Sequence, residues 1–252
     1  MMKCKMCGEF IDSEICPFCG YRNTSIDKKE VVNDKDILSS VSDAKSKLVE
    51  NCVLSVVKLS NQQGIMLYTG TGWLCEQGYI ISNAHVVCND KNKYLPTPSK
   101  INCEFAKSLS LPDITLKVVY FDADDDIAIL KPVDSFIPSS VNALKIKEEA
   151  PKIGELVFTI GNPLHYKFTY TEGAVANPQY NAGGKRKFTV LQTTLTLNHG
   201  NSGGPVFDAK GNVVGMTTFS ELKKNQNCVY EEIRGYGFCV TGEAILSALK
   251  SI

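Results

Sequence analysis

The sequence predicts an all-β protein, either a barrel or a sandwich, preceded by a small metal-binding unit. From about residue 50 onwards the chain consists of short β-like runs bounded by turns, a texture typical of these β architectures. Two closely spaced pairs of cysteines lie at the N-terminus, before the first of these runs. With 252 residues, the chain is long enough for one large β domain and a small appendage.

The N-terminal cysteines have the spacing of a zinc site. Each pair encloses two residues and is followed directly by a glycine, and the four thiols belong to Cys4, Cys7, Cys16 and Cys19. Two such turns supply a tetrahedral set of thiolates for one structural Zn²⁺, with no open position for catalysis. Disulfides and a redox-active pair are the alternatives; a reducing compartment argues against the first and the lack of a βαβ context against the second. Residues 1–22 are too short to bury a core, so this zinc ribbon would need the metal to fold.

A polar linker and a short helix are expected over residues 23–49, between the zinc ribbon and the β domain. Leu38, Val41, Ala44 and Leu48 recur at helical spacing, which predicts a helix from residue 37 to about residue 50. The β domain occupies residues 50–252 and ends in a helix over residues 244–249. Its predicted strands are residues 53–59, 72–87 (a hairpin), 116–121, 126–131, 155–160, 169–176, 187–194, 205–207, 212–218 and 235–240.

Six further cysteines are scattered through the β domain. Because free cysteine behaves as a small hydrophobe, we expect these residues to pack in the core rather than to perform chemistry. They are Cys52, Cys75, Cys88, Cys103, Cys228 and Cys239.

One serine stands in a glycine-flanked turn, which is how an acyl-transfer nucleophile is usually presented. Residues 199–205 read His-Gly-Asn-Ser-Gly-Gly-Pro and centre on Ser202. A serine needs a neighbouring base, and the carbonyl oxygen that it attacks needs hydrogen-bond donors. Upstream, a β-like run over residues 78–87 carries His85, and another run begins at Asp125 and Asp126. The candidate groups therefore follow the chain order histidine, aspartate, serine.

These motifs, in this order, resemble the trypsin-like serine proteases, in particular their HtrA/Deg branch, from about residue 50 to the C-terminus. Four further segments match that family: Tyr-Thr-Gly-Thr-Gly-Trp-Leu at 68–74, Ile-Gly-Asn-Pro at 160–163, Gly-Asn-Val-Val-Gly-Met at 211–216 and Gly-Tyr-Gly-Phe-Cys-Val at 235–240. The resemblance implies two six-stranded antiparallel β-barrels of the chymotrypsin type with a C-terminal helix. The PDZ domain that usually follows in this branch has no counterpart in the sequence.

The resemblance assigns a role to each candidate residue. Ser202 would be the nucleophile, His85 the general base and then acid, and Asp126 the group that holds the histidine tautomer. The backbone N–H groups of Gly200 and Ser202 would form the oxyanion hole, with Asn201 between them. Asp126 is chosen from an acidic cluster because it directly precedes the apolar run 127–130, whereas the remaining acids are expected in a solvated turn.

The resemblance also places the substrate. The substrate strand would pair with the edge formed by Thr217, Thr218 and Phe219, and the primary pocket would be walled by residues near Thr196, Thr217, Tyr236 and Phe238. Because none of these is an acid, we expect small or medium apolar residues before the scissile bond. The long loop after residue 219 would reshape this pocket.

Composition narrows the possible partners and location. Lysine plus arginine equals aspartate plus glutamate, at 27 each, so no global field attracts nucleic acid or an anionic membrane. No apolar stretch approaches the roughly 18 residues that span a bilayer. The first residues lack the apolar core of a secretory signal, so we expect a cytoplasmic location.

The sequence therefore predicts a serine endopeptidase that acts through an acyl-enzyme on unfolded protein or peptides, in protein quality control, without a catalytic cofactor. The zinc ribbon would recruit a protein partner or support an oligomer. The alternative is a zinc-ribbon binding or scaffold protein whose protease-fold domain is latent or vestigial.

Overall fold

The computed structural model describes residues 2–4, 6–12, 15–22, 34–63, 66–87, 101–106, 109–133, 136–164, 166–181, 189–219, 222–224, 230–232 and 235–252. The chain divides into two compact units, Met1–Lys45 and Ser46–Ile252. The finer division into a ribbon, a linker and a protease domain stays a prediction.

The first unit contains two turns with the same backbone hydrogen bonds. Strands β1 (Met2–Lys3) and β2 (Phe10–Ile11) pair on either side of the first turn. Cys4 N–H donates to Glu9 O at 2.7 Å and Gly8 N–H to Cys4 O at 2.9 Å; the second turn repeats this with Cys16, Tyr21 and Gly20 at 2.8 and 2.9 Å. Both glycines have positive φ, 81° and 70°, which explains why each cysteine pair is followed by glycine.

Helix α1 (Asp34–Val53) is longer than the predicted helix. Its last turns extend past residue 50 because Cys52 is buried and Val53, Leu48 and Val49 pack against the large core cluster of the second unit. Burial of an apolar face stabilises these turns, which their helical propensity alone would not specify.

The second unit contains two closed six-stranded barrels, which confirms the predicted fold class. Its strands are β3 (Val56–Gln63), β4 (Met66–Leu74), β5 (Ile80–Ser82), β6 (Ile101–Phe105), β7 (Ile114–Asp122), β8 (Ile127–Pro132), β9 (Leu156–Gly161), β10 (Thr169–Asn181), β11 (Thr189–Thr193), β12 (Pro205–Asp208), β13 (Val213–Phe219), β14 (Leu222–Lys224), β15 (Tyr230–Glu232) and β16 (Gly237–Thr241). The first barrel has the order β3-β4-β5-β8-β7-β6 and the second β10-β11-β16-β13-β12-β9, while β14 and β15 form a separate hairpin. Helix α2 (Ala84–Val87) follows β5, and α3 (Gly242–Leu249) follows β16.

Strand β8 shows how the barrels pack together. Ala128 and Leu130 belong to the core cluster inside the first barrel. Ile127 and Ile129 belong to a second cluster that also contains residues of β9, β12, β13 and β16. Alternate side chains of one strand thus fill the barrel interior and the interface between the barrels, because successive residues point to opposite faces. The residue before β8, Asp126, therefore lies where the two barrels meet.

The scattered cysteines pack as expected wherever the structure describes them. Cys52, Cys75, Cys103 and Cys239 are buried free thiols. Desolvation raises the pKa of Cys52 to about 11 and that of Cys239 to about 12, so neither is a thiolate at neutral pH. Cys88 and Cys228 lie outside the described residues.

Candidate active site

His85 lies in the short helix α2, directly after the fully buried strand β5. The backbone at this point is tied to the start of β8: Ala84 N–H donates to Asp126 O at 3.2 Å, and the side-chain amide of Asn83 donates to the same oxygen at 2.9 Å. His85 and Asp126 are therefore held together through their backbones as well as through their side chains.

Asp126 is buried, and its carboxylate faces the imidazole of His85. Asp126 Oδ2 lies 2.8 Å from His85 Nδ1, and Oδ1 accepts from the backbone N–H of His85 at 3.0 Å. Thr218 Oγ1 also donates to Oδ2. The residue has φ of 56°, a left-handed conformation that aspartate tolerates better than most residues. Such a carboxylate keeps the proton on Nδ1 and leaves Nε2 as the acceptor.

The neighbouring acids have different surroundings. Asp122 Oδ1 accepts the backbone N–H groups of Asp124 and Asp125 at 2.8 and 2.9 Å, which closes the turn. Burial, with Asp122 and Asp124 nearby, raises the pKa of Asp125. In the described residues, the acid of this cluster that reaches His85 is Asp126.

Ser202 sits in a turn whose glycines admit no side chain. Gly200 has φ of 101°, and a Cβ there would lie 2.2 Å from the carbonyl oxygen of Asn162. Gly203 has φ of 84°, and its Cβ would lie 2.1 Å from the carbonyl oxygen of Thr71. The turn is thus pressed against both barrels. Ser202 Oγ donates to Thr218 O at 3.2 Å.

The four carbonyls of residues 199–202 each accept a hydrogen bond. His199 O accepts from Leu164 N–H at 2.7 Å, and Gly200 O accepts from Thr71 Oγ1 at 2.7 Å. Asn201 O accepts from Gly204 N–H at 2.8 Å and from the Thr217 hydroxyl. Ser202 O accepts from Thr71 N–H at 2.9 Å.

The N–H groups of the turn alternate between paired and unpaired. Asn201 N–H donates to Asn198 O at 3.0 Å and Gly203 N–H to Thr217 O at 2.9 Å. Among the described residues, no acceptor pairs with the N–H of Gly200 or of Ser202. Because a trans peptide points its C=O and N–H in opposite directions, fixing the carbonyls of His199 and Asn201 aims these two N–H groups the other way. They are the donors that the sequence analysis assigned to the oxyanion hole.

The candidate base, the candidate nucleophile and one oxyanion-hole residue line the same cleft. These residues are His85, Ser202 and Gly200, and the volume of the cleft is about 200 Å³. The remaining lining residues are Tyr68, Thr69, Val86, Leu164 and His199. Both barrels contribute, so the cleft exists only when the barrels are packed together.

The residues predicted to bind substrate differ in how exposed they are. Thr196 is exposed, and Tyr236 is 46% exposed. Phe219 continues β13 and pairs through its backbone with Phe238. Thr218 is buried and contacts both Asp126 and Ser202.

Two of these residues are buried. The Thr217 side chain is fully buried, and its hydroxyl and backbone form hydrogen bonds with the serine turn. Phe238 is 1% exposed and its ring lies 5.3 Å from that of Tyr180, so it packs within the barrel. A Cβ on Gly237 would lie 2.8 Å from Leu197, which covers this position.

Sequence reasoning missed the residues that support the serine turn. Thr71 and Asn162 are buried and hydrogen-bonded to each other, with Asn162 N–H 3.0 Å from Thr71 Oγ1. Both lie inside motifs that the sequence analysis quoted, at 68–74 and 160–163. The two motifs could have indicated that Thr71 and Asn162 matter. They do not show which residues Thr71 and Asn162 contact.

In the first unit, the four N-terminal cysteines come together. All four Sγ atoms lie within 4.8 Å of one another. Two pairs, Cys4 with Cys19 and Cys7 with Cys16, have Sγ atoms 3.6 Å apart. Sulfurs bound to one Zn²⁺ at about 2.3 Å in a tetrahedron stand about 3.8 Å apart, whereas a disulfide requires about 2.05 Å. The donor set therefore fits a metal ion.

Two closed barrels, with a histidine backed by a buried aspartate in one and a serine turn in the other, define the chymotrypsin-like class of folds. The histidine and the serine line one cleft. The chain belongs to the trypsin-like peptidase family, whose model, the trypsin-like peptidase domain, matches residues 70–216.

Two relatives of this chain are named as serine endoproteases. The chain is 32% identical to serine endoprotease DegS of Escherichia coli strain K12 over 180 residues, which cover 68% of this chain and 44% of DegS. It is 31% identical over 151 residues to a probable periplasmic serine endoprotease DegP-like of Hahella chejuensis, covering 60% of this chain and 29% of that protein. The chain thus spans less than half the length of each relative.

A solved structure shows the same fold. The HtrA-type protease AlgW with tripeptide superimposes with a TM-score of 0.67 at 22% identity, covering 82% of this chain and 63% of that chain. The chain therefore shares its fold with this structure over the part that superimposes.

The expected cytoplasmic location is contradicted by these relatives. The Hahella chejuensis protein is named periplasmic, as is a DegP-like relative from Ectopseudomonas mendocina. The expectation relied on the first residues of the chain, which are not part of the β domain that the relatives share. In the part of the chain that the structure describes, no helix is long and apolar enough to cross a membrane.

Proposed function

We propose that the protein is a serine endopeptidase with Ser202 as nucleophile, His85 as general base and Asp126 as the group that orients His85. The observation that carries this proposal is the common cleft: a histidine with its Nδ1 on a buried carboxylate, and a serine flanked by two unpaired N–H groups. The names of its relatives, serine endoproteases, point the same way.

The reaction follows from this arrangement. The Ser202 hydroxyl turns from Thr218 O towards His85 Nε2, gives up its proton and attacks the substrate carbonyl. The N–H groups of Gly200 and Ser202 stabilise the oxyanion that forms. His85 then passes the proton to the leaving amine, which leaves an acyl-enzyme on Ser202. A water molecule, deprotonated by His85, attacks the ester; His85 returns the proton to Ser202 Oγ as the acid product leaves.

The proposed substrates are unfolded or partly unfolded proteins and peptides, within protein quality control. An extended chain can add to the end of β13, because β12 pairs with it only up to Met216 and Phe219 lies beyond that point. Among the residues predicted for the primary pocket no acid is present, which favours small or medium apolar residues before the scissile bond.

A latent protease fold that serves as a platform is the second candidate. One observation favours it: the Ser202 hydroxyl donates to Thr218 O, which is not the geometry of attack. The platform would bind partners through the N-terminal unit and hydrolyse nothing.

Labelling with a fluorophosphonate probe separates these two candidates. We expect covalent labelling of wild-type protein at Ser202, located by peptide mass spectrometry, because only a serine activated by a base reacts readily with such probes. Heat-unfolded protein is the control and should remain unlabelled. If native protein stays unlabelled across pH 6–9, a range of about one unit or more on either side of neutrality, the endopeptidase proposal fails and the platform stands.

We further propose that Cys4, Cys7, Cys16 and Cys19 bind one structural Zn²⁺. The support is the sulfur spacing together with the two matching turns, whose backbone N–H groups close behind each thiol pair. Four thiolates fill the coordination sphere, so the ion would hold the first unit together and supply no Lewis acid to hydrolysis. The exposed side chains of Met6 and Phe18, both 70% exposed, are where this unit would meet a protein partner or a second copy.

Metal analysis tests the zinc proposal. Protein purified without added metal should contain about one zinc per chain, as one four-ligand site requires. The double variant Cys16→Ser/Cys19→Ser should lose it, whereas Cys52→Ser, which alters a buried cysteine of the other unit, should keep it. Zinc near zero, with the N-terminal cysteines found as disulfides by mass spectrometry, would contradict the site.

A further inference from the structure

A buried hydroxyl outside the proposed triad connects Asn162 to the turn that carries Ser202. Thr71 lies on β4 of the first barrel and is completely buried. Its Oγ1 accepts from the backbone N–H and the side-chain amide of Asn162, at 3.0 and 3.1 Å. It donates its single proton to Gly200 O at 2.7 Å. A hydroxyl has one proton and two lone pairs, so no capacity remains and the direction of the proton is determined.

Asn162 completes the frame around the turn. Its side-chain amide also donates to Val57 O at 3.3 Å, and its Oδ1 accepts from Phe168 N–H at 3.1 Å, which holds the side chain between two strands and a loop. Its carbonyl oxygen is the atom against which Gly200 is pressed. Two residues further on, Leu164 N–H holds the carbonyl of His199. The peptide before Gly200 is thus held by a loop of the second barrel, through Leu164 N–H. The peptide after Gly200 is held by the Thr71 hydroxyl of the first barrel.

We propose that Thr71 and Asn162 are positioning residues for the oxyanion hole. Neither touches a reacting atom. Asn162 donates twice to the Thr71 oxygen and so leaves the hydroxyl proton one acceptor, Gly200 O, which fixes the rotation of the peptide between Gly200 and Asn201. This peptide joins the two peptides that carry the proposed oxyanion donors, the N–H groups of Gly200 and Ser202. This inference rests on the proposed endopeptidase function.

Replacing Thr71 tests the proposal. Thr71→Val keeps the branched shape and removes the hydroxyl, so Gly200 O loses its donor. We expect kcat on a peptide substrate to fall about 10²-fold, the cost of misplacing an oxyanion donor, while KM changes less than about threefold. Thr71→Ser retains the hydroxyl and should restore kcat to within about threefold of wild type.

A transition-state analogue gives a readout that general damage would not produce. A peptide aldehyde forms a tetrahedral adduct whose oxygen occupies the oxyanion hole, so its inhibition constant should rise by about the same factor as kcat/KM falls. The matching alcohol, which cannot form the adduct, should bind wild type and Thr71→Val equally. Equal losses for the aldehyde and the alcohol would overturn the proposal.

Thr159→Val is the matched control. Thr159 is a fully buried strand threonine of the second barrel, and its hydroxyl has no hydrogen-bond partner in the described part of the chain. Its substitution removes the same atom from a similar depth and should leave kcat within about twofold of wild type, since no bond to the turn is lost. If Thr159→Val loses as much turnover as Thr71→Val, the effect belongs to buried threonines in general and the positioning role is excluded.

A second variant keeps the test decisive if Thr71→Val does not fold. Asn162→Asp retains the acceptor for Phe168 N–H but replaces the amide donor by a carboxylate oxygen, which competes for the Thr71 proton. We expect a fall of kcat of at least about tenfold with the circular dichroism of wild type. If wild type itself does not hydrolyse peptides, the endopeptidase proposal fails; if wild type is active and both variants match it, only the positioning role fails.

Discussion

Ser202→Ala should abolish peptide-bond hydrolysis, with turnover falling by about 10⁶-fold, because the hydroxyl is the attacking atom and its loss removes nucleophilic catalysis as a whole. The substitution deletes the hydroxyl oxygen of a residue that lines the cleft and leaves the hydrogen bond from Thr71 N–H to Ser202 O unchanged. Turnover on a casein-like substrate measures the effect. Thermal unfolding within about 2 °C of wild type would show that the fold is intact.

The residual activity of this variant is informative as well. The N–H groups of Gly200 and Ser202 belong to the backbone and remain, so the variant should bind peptide as wild type does. Turnover near the wild-type rate would remove Ser202 from the mechanism and with it the whole assignment.

Asp126→Asn should lower kcat by about 10⁴-fold, because an amide favours the wrong histidine tautomer. The carboxylate now accepts from three donors: His85 Nδ1–H, His85 backbone N–H and the Thr218 hydroxyl. An asparagine has one acceptor oxygen for these donors and directs an NH₂ group at another of them, which leaves a donor unpaired or turns the imidazole. Steady-state kinetics on the same substrate as for Ser202→Ala measures the loss.

Asp124→Asn and Asp125→Asn are the matched controls, since both lie in the same turn and change the same charge. Each contributes a backbone N–H to Asp122, which the substitution preserves, so kcat should stay within about threefold of wild type. A large loss in either control, with Asp126→Asn active, would show that the catalytic aspartate is another member of the cluster.

The sequence by itself determined the fold class, the order of the candidate residues and the two matching cysteine turns at the N-terminus. Each of these features depends on residues that are close together in the sequence. Short apolar runs between turns predict strands, a glycine on both sides of a serine predicts a tight turn, and two cysteine pairs followed by glycine predict two matching turns. The helix before the first barrel was predicted too short, because its last turns depend on burial against the core and not on the helical spacing of residues 38–48.

Only the tertiary structure decided which polar groups meet. Thr71 contacts Gly200 and Asn162 across separations of 129 and 91 residues, and Asp126 contacts Thr218 across 92. Local periodicity carries no information about such contacts, since a threonine in a strand has the same pattern whether its hydroxyl faces a core, a turn or a substrate. For the same reason the sequence did not show that the side chains of Thr217 and Phe238 are buried. The barrels must close and pack before these hydroxyls and carbonyls come within hydrogen-bonding distance, so the oxyanion turn is a product of the packing of both barrels rather than of its own seven residues, 199–205.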